Sequence, residues 1–179
     1  MDTEAEQVRW AGRFITAKTR GKWEYVTRSR GIRAAVILAI DEHDHVLLVE
    51  QFRVPLGKPC LELPAGLIGD DDSFAGEGDT AAALRELQEE TGYLAARMEV
   101  VGEFYSSPGM VSESFTLLRA SGLERTGPGG GTAGEDITVH RIALSELAGF
   151  VDKARARGLG IDVRLLMLLA PGIIGGARA

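Results

Sequence analysis

Three glutamates, Glu86, Glu89 and Glu90, stand three and four residues apart within Leu84-Arg85-Glu86-Leu87-Gln88-Glu89-Glu90. On a helix turning about 100° per residue, that spacing brings all three carboxylates onto one face. Like charges so placed repel one another. The cost falls when something neutralises them, and a hard divalent cation with oxygen ligands is the usual neutraliser. The alternative is a solvated acidic helix surface, and an isolated pair of glutamates would be read that way. Other reactive residue types carry less. His43 and His45 lie in the polar turn Asp41-Glu42-His43-Asp44-His45 with no third ligand at a fixed spacing, which reads as a solvated turn. Cys60 is the one cysteine, so an internal disulfide is excluded. Nothing near it in sequence would lower its pKa, and it reads as a small buried hydrophobe.

The glutamates must be carried by a helix, and Asp79–Thr91 (DTAAALRELQEET) supplies one. It is rich in helix formers, has acid at its start and has Gly92 placed to cap its end, with Ala83, Leu84 and Leu87 as the apolar stripe. Around it the pattern predicts strands. Phe14-Ile15-Thr16 and Trp23-Glu24-Tyr25-Val26 form an N-terminal hairpin about Arg20-Gly21-Lys22. The apolar runs from Ala34 to Ile40 and from Val46 to Val49 are expected as two buried antiparallel strands. Further strands are expected over Met98–Phe104, Phe115–Ala120 and Ile137–Ile142. The Gly/Pro-rich stretch from Thr126 to Gly134 is expected to be mobile and outside any core. Helices over Leu144–Arg157 and Asp162–Leu169 close the chain, the second stopped by Pro171-Gly172. There is no internal repeat.

At 179 residues and 45% hydrophobic residues the chain is expected to build one globular domain behind a short N-terminal extension. Twenty Lys and Arg against 26 Asp and Glu give a net charge of −6, which argues against a general attraction to nucleic acid or to an anionic membrane. An anionic ligand would need local arginine or metal. The N-terminus lacks a signal-peptide pattern, and no apolar run approaches the roughly 18 residues needed to span a bilayer, so a cytoplasmic protein is expected.

Arg85-Glu86-Leu87-Gln88-Glu89-Glu90-Thr91-Gly92-Tyr93 resembles the second half of the Nudix box, G-x5-E-x7-R-E-U-x-E-E-x-G-U, with U aliphatic or aromatic. Glu77 stands where the pattern has its first glutamate, and Glu62-Leu63-Pro64-Ala65-Gly66-Leu67-Ile68 resembles the segment that opens the box. One departure is that ten residues separate Gly66 from Glu77 where the pattern has five. The extra Asp/Gly/Ser-rich residues are expected to lengthen the loop before the helix. The resemblance implies an α+β fold, an α/β/α sandwich with a mixed central sheet flanked by helices. It also implies that Glu86, Glu89, Glu90 and the carbonyl of Ala65 bind Mg²⁺ or Mn²⁺, and that Arg85 orients the carboxylates. Such metal offsets charge growing on the phosphorus oxygens of a diphosphate.

Resemblance to the ADP-ribose pyrophosphatase branch extends over about residues 14 to 170. It implies that Trp23 and Phe14 stack on the two faces of an adenine, the competing reading being that both are core aromatics. Arg53, in Val49-Glu50-Gln51-Phe52-Arg53, would contact phosphate, the competing reading being a surface ion pair. Ser106-Ser107-Pro108-Gly109-Met110-Val111-Ser112-Glu113 resembles the loop in which Gly109, Met110 and Glu113 contact the substrate. The general base is expected in the loop before a late strand. Counting back from Asp136-Ile137 reaches Ala133, so Glu135 is the substitute candidate, with Glu89 or Glu86 as alternatives. The branch implies a homodimer in which residues 1–30 complete the partner's site and 31–179 form the hydrolase domain. A small-molecule nucleotide sugar is expected as substrate, ADP-ribose first and GDP-mannose as the alternative. A metabolite-binding regulator that has lost catalysis would show eroded glutamates, which this chain does not.

Overall fold

The computed structural model describes residues 4–29, 32–68, 78–132 and 134–174. Glu77, the segment Gly69–Gly76 and Ala133 lie outside them. The N-terminal residues form an antiparallel sheet ordered β1-β2-β3, from β1 (Gln7–Ala11), β2 (Ile15–Arg20) and β3 (Trp23–Arg28). The turn at Gly21, with φ of 55°, closes the expected hairpin, and β1 is a strand the sequence pattern did not signal.

The apolar runs that follow become β4 (Arg33–Ala39) and β5 (His45–Arg53). They are buried as expected, but they are not paired as a hairpin. Apart from one bridge, Ile40 to Val46, each enters its own sheet. With β6 (Lys58–Glu62), β7 (Ala65–Ile68), β8 (Tyr93–Tyr105), β9 (Ser114–Arg125), β10 (Ile137–Ala143) and β11 (Gly160–Ile161), the orders are β7-β4-β9-β8 and β10-β5-β6-β11. Both sheets are mixed, since β4 runs parallel to β9 and β11 parallel to β6. A strand apolar on both faces needs neighbours on both edges and cover above and below. Two adjacent runs satisfy that by becoming inner strands of two sheets.

Helices supply the cover. Val36, Val46 and Leu48 belong to one core with Leu147, Val151 and Ala154 of α2 (Leu147–Ala156), against which Leu168 and Leu169 of α3 (Leu166–Ile174) pack. Ala35, Ile37, Ala39 and Leu47 belong to another, with Ala82, Ala83 and Leu87 of α1 (Asp79–Thr91). The result is the α+β layering expected, α1 covering one core and α2 with α3 the other. Ala82 takes the fully buried place expected of Leu84, which is only partly buried. Pro171 lies inside α3 instead of stopping it, so the helix runs on to Ile174 without one N–H donor.

The described residues of the glycine-rich stretch lie outside both cores, as expected. It is bonded across the C-terminal end of α1: Gly130 N–H donates to the Glu90 carbonyl at 2.9 Å and Gly131 N–H to the Glu89 carbonyl at 3.0 Å. Thr126 and Gly127 N–H both reach the Gly92 carbonyl, at 2.8 and 3.0 Å. The last carbonyls of a helix have no partner within it, and a backbone without side chains can approach closely enough to supply one. Gly92 has φ of 75°, and a Cβ there would overlap the Gly127 carbonyl. Gly92→Ala should therefore cost about 1–2 kcal/mol for the left-handed backbone alone, with the steric overlap in addition. Urea denaturation reads this directly, and a loss within about 0.5 kcal/mol, the range of an ordinary surface change, would show that the loop is not held there.

Candidate active site

Helix α1 lies against β7, and the contact is made by the glutamate face. Glu90 is 4% exposed, and its carboxylate accepts the Ala65 N–H at 3.0 Å. The Glu86 carboxyl lies over Gly66, where any Cβ would overlap it. Arg85 Nη1 donates to Glu86 at 2.9 Å and to Glu89 at 3.0 Å, so one guanidinium orients two carboxylates. Burial raises the Glu86 pKa against the opposing pull of Arg85, with Glu89 and Glu135 adding to the rise. Glu90 is pushed up to about 8, by burial first, reinforced by Glu86 and Glu135 and opposed by the Ala65 N–H and Arg53. Both carboxylates hold a proton more readily than an ordinary glutamate, and a nearby cation would oppose that. As they stand, turned toward Arg85 and the Ala65 amide, no three His, Cys, Asp or Glu side chains among the described residues converge on one point.

Ala65 and Gly66 also line a cleft of about 460 Å³, together with Arg28, Arg53, Glu62 and Glu113. Arg53 grips Glu62 bidentately, Nε to Oε1 at 2.6 Å and Nη2 to Oε2 at 2.7 Å. Glu62 is 2% exposed, so this is a half-buried pair and not the surface ion pair weighed from residue type. Glu113 accepts from Arg28 Nε at 2.6 Å. Glu135 is exposed, its carboxylate bonded by the Thr132 N–H at 2.8 Å and hydroxyl at 3.0 Å, within electrostatic reach of Glu86 and Glu90.

A second hollow, of about 300 Å³, is lined by Trp23, Tyr25, Arg20, Pro108, Gly109 and Val111. It exists because β3 extends into the 107–112 loop: Val26 N–H donates to the Met110 carbonyl and Ser112 N–H to the Val26 carbonyl, both at 3.0 Å. Trp23 is 58% and Phe14 51% exposed, which overturns the reading of either as a core aromatic. The expected sandwich of one ring between Trp23 and Phe14 is not formed within a chain. Trp23 pairs with Arg20 at one end of the hairpin and Phe14 precedes Ile15 at the other, about 20 Å away at strand spacing. Met110 also lies outside the Trp23 hollow, facing another beside Lys18 and Val26.

Arg28, Glu62, Asp162 and Arg164 belong to the cleft lining but were not singled out as site residues from the sequence. Glu62 belongs to the segment that resembles the opening of the box, and the other three carry no local signal. Cys60, also at the cleft, is held as a thiol, its pKa pushed up to about 12 by burial first and then by Glu62 and Asp162.

Glu90 yields a stability prediction. Its pKa is raised in the folded state, from an ordinary 4.5 to about 8, so its contribution is fully present below about pH 4.5 and lost as pH rises through about 8. In EDTA the melting temperature should fall across that window, and Glu90→Gln should flatten the fall. Parallel profiles for the two proteins would show that Glu90 is not the titrating group.

Residues 30–156 match the family described as the NUDIX domain. A GDP-mannose pyrophosphatase of Cronobacter sakazakii is 36% identical over 148 residues, 78% of this chain and 72% of that protein. An ADP-ribose pyrophosphatase of Bacillus subtilis is 40% identical over 90 residues, 50% of this chain; the match spans about half of that relative's length, 46%. The crystal structure of an ADP compounds hydrolase aligns with a TM-score of 0.67 over 98% of this chain and 95% of that one, at 22% identity, a likeness of fold. With the family match running from the end of the N-terminal sheet through α2, and with the glutamate helix inside it, the chain belongs to the Nudix family.

Proposed function

We propose that this protein hydrolyses the pyrophosphate bond of a nucleoside diphosphate sugar, with ADP-ribose, cleaved to AMP and ribose 5-phosphate, as the leading substrate. The observation that carries this reading is the buried Glu90 beside Glu86, both touching residues that line an arginine-bearing cleft. Mg²⁺ or Mn²⁺ is the proposed cofactor, held by Glu86, Glu89, Glu90 and the Ala65 carbonyl. The donor set fits a hard cation: it is all oxygen, burial raises the proton affinities of Glu86 and Glu90, and Gly66 leaves room for Glu86. When bound, the ion supplies neutralisation of the diphosphate and a water that loses its proton more easily.

The chain's own residues do the rest. Arg85 keeps Glu86 and Glu89 in register, and Arg53 offers a fixed, permanently charged donor plane to a phosphate oxygen. Glu135, exposed and near the acidic face, is the proposed acceptor of the proton from water. Gly109 and Trp23 would hold the base, while Glu113, fixed by Arg28, and Met110 would contact the sugar side. Because Phe14 lies at the far end of its own hairpin, a stack using both aromatics would take Phe14 from a second copy. That agrees with a homodimer in which residues 1–30 are an extension and 31–179 the hydrolase domain. No described helix is long and apolar enough to cross a membrane, and the proposed setting is the cytoplasm. GDP-mannose is the second substrate reading, favoured by the longer match to the GDP-mannose pyrophosphatase.

A release assay with ADP-ribose and GDP-mannose tests these readings. Turnover should require added Mg²⁺ or Mn²⁺ and vanish in excess EDTA, whereas equal rates in both would end the metal proposal. Glu90→Gln should lower kcat by a factor on the order of 10² with the fold retained, checked by circular dichroism. Trp23→Ala should weaken substrate binding by roughly 1–3 kcal/mol, seen mainly in KM. The exposed side chain predicts little change in melting temperature. A large drop in melting temperature with unchanged KM would contradict the stacking role.

A further inference from the structure

Arg164 is a second guanidinium placed on the same buried carboxylate as Arg53. It sits in the 3-10 turn Val163–Leu165 that leads into α3, and Asp162 fixes it from two residues away. Asp162 Oδ1 accepts the Arg164 backbone N–H and Nε, and Oδ2 accepts Nη2, all at 2.7 Å. The same Nη2 lies 3.5 Å from Glu62 Oε2, the oxygen that Arg53 Nη2 holds at 2.7 Å. The Arg164 guanidinium is also 5.7 Å from the centre of the Phe115 ring. Arg53 and Arg164 are therefore anchored alike, through Nε and Nη2 to carboxylates, and neither Nη1 makes a hydrogen bond among the described residues. Both residues line the cleft that Ala65 and Gly66 border. An Nη1 that keeps both of its N–H donors on a guanidinium fixed through its other nitrogens suits charge-assisted hydrogen bonds to phosphate oxygens. Glu62 and Asp162 balance the two positive charges at their anchored edges, so neither arginine is buried without a partner.

We propose that Arg164 is a substrate-binding residue that, with Arg53, clamps the diphosphate, and that Glu62 is the positioning residue setting the spacing of the two guanidiniums. This rests on the diphosphate-hydrolase reading. It differs from a structural role in which Arg164 only ties the start of α3 to β6.

Calorimetric titration with inorganic pyrophosphate in EDTA, where no turnover is needed, separates the two. Arg164→Met, which keeps the stem near Phe115, should raise the pyrophosphate Kd about tenfold or more, the scale of a lost hydrogen bond to a charged group. Arg164→Lys, which keeps charge but loses the fork, should fall between Met and wild type, and it carries the test if the Met variant does not fold. Glu62→Gln should weaken pyrophosphate binding as well. With metal present, KM for the hydrolysed nucleotide sugar should rise in Arg164→Lys with kcat changed less than threefold. A lowered melting temperature with unchanged pyrophosphate Kd in the folded variants would overturn the proposal, as would failure of the wild type to bind pyrophosphate. Pyrophosphate binding that depends on Arg164 in a protein that cleaves neither nucleotide sugar would uphold the clamp and refute the hydrolase reading.

Discussion

Helix α1 is pressed onto β7 through its most polar face. Glu90 is almost wholly removed from solvent at this junction, with one backbone N–H, from Ala65, directed at its carboxylate. Taking a carboxylate out of water is costly unless it is protonated or matched by positive charge. The apolar side of α1, Ala82, Ala83 and Leu87, offsets that cost by packing on Ile37, Leu47 and Leu118. Gly66 removes the one side chain that would keep Glu86 away, and the glycine loop after β9 supplies hydrogen bonds to the last carbonyls of the helix. Packing, a bare backbone position and a backbone clamp thus converge on a helix whose functional face resists burial.

Elsewhere in the cleft the charges are matched locally. Glu62 has Arg53 and Arg164, Asp162 has Arg164, Glu113 has Arg28, and Glu86 with Glu89 has Arg85. Glu90 differs, because its direct partner is an uncharged amide and Arg53 acts on it only through space. The acidic side therefore stays short of positive charge, while Nη1 of Arg53 and of Arg164 makes no hydrogen bond among the described residues. A negatively charged diphosphate together with a cation would complement both.

The N-terminal sheet reaches the cleft region through backbone pairing. Val26 bonds on both sides to the 110–112 segment, so the loop bearing Pro108 and Gly109 and the strand bearing Trp23 are held as one surface. This leaves large aromatic side chains, Trp10, Phe14 and Trp23, facing solvent in a single chain. Arg28, at the end of the same strand as Trp23, reaches the cleft bordered by Ala65 and Gly66, so the N-terminal sheet contributes to both hollows.

Much was legible in the sequence because it depends on local rules. The bounds of α1, its Gly92 cap and its glutamate face follow from propensity, cap chemistry and a 3.6-residue period, and the Arg85–Tyr93 motif carries the family resemblance on its own. Strand positions followed from apolar runs, but pairing did not. Val36 and Val46 look alike to a periodic pattern, and only the competition for sheet edges separates β4 from β5. The glycine stretch reads as loose because composition is blind to the unpaired carbonyls of a helix end that happens to lie beside it. Arg164 gave no signal, since its partner Glu62 is 102 residues away and the two meet only after β6, β11 and the turn into α3 are assembled. Local chemistry is written in neighbouring residues. Which charges share a cleft is decided by long-range packing, which no spacing along the chain records.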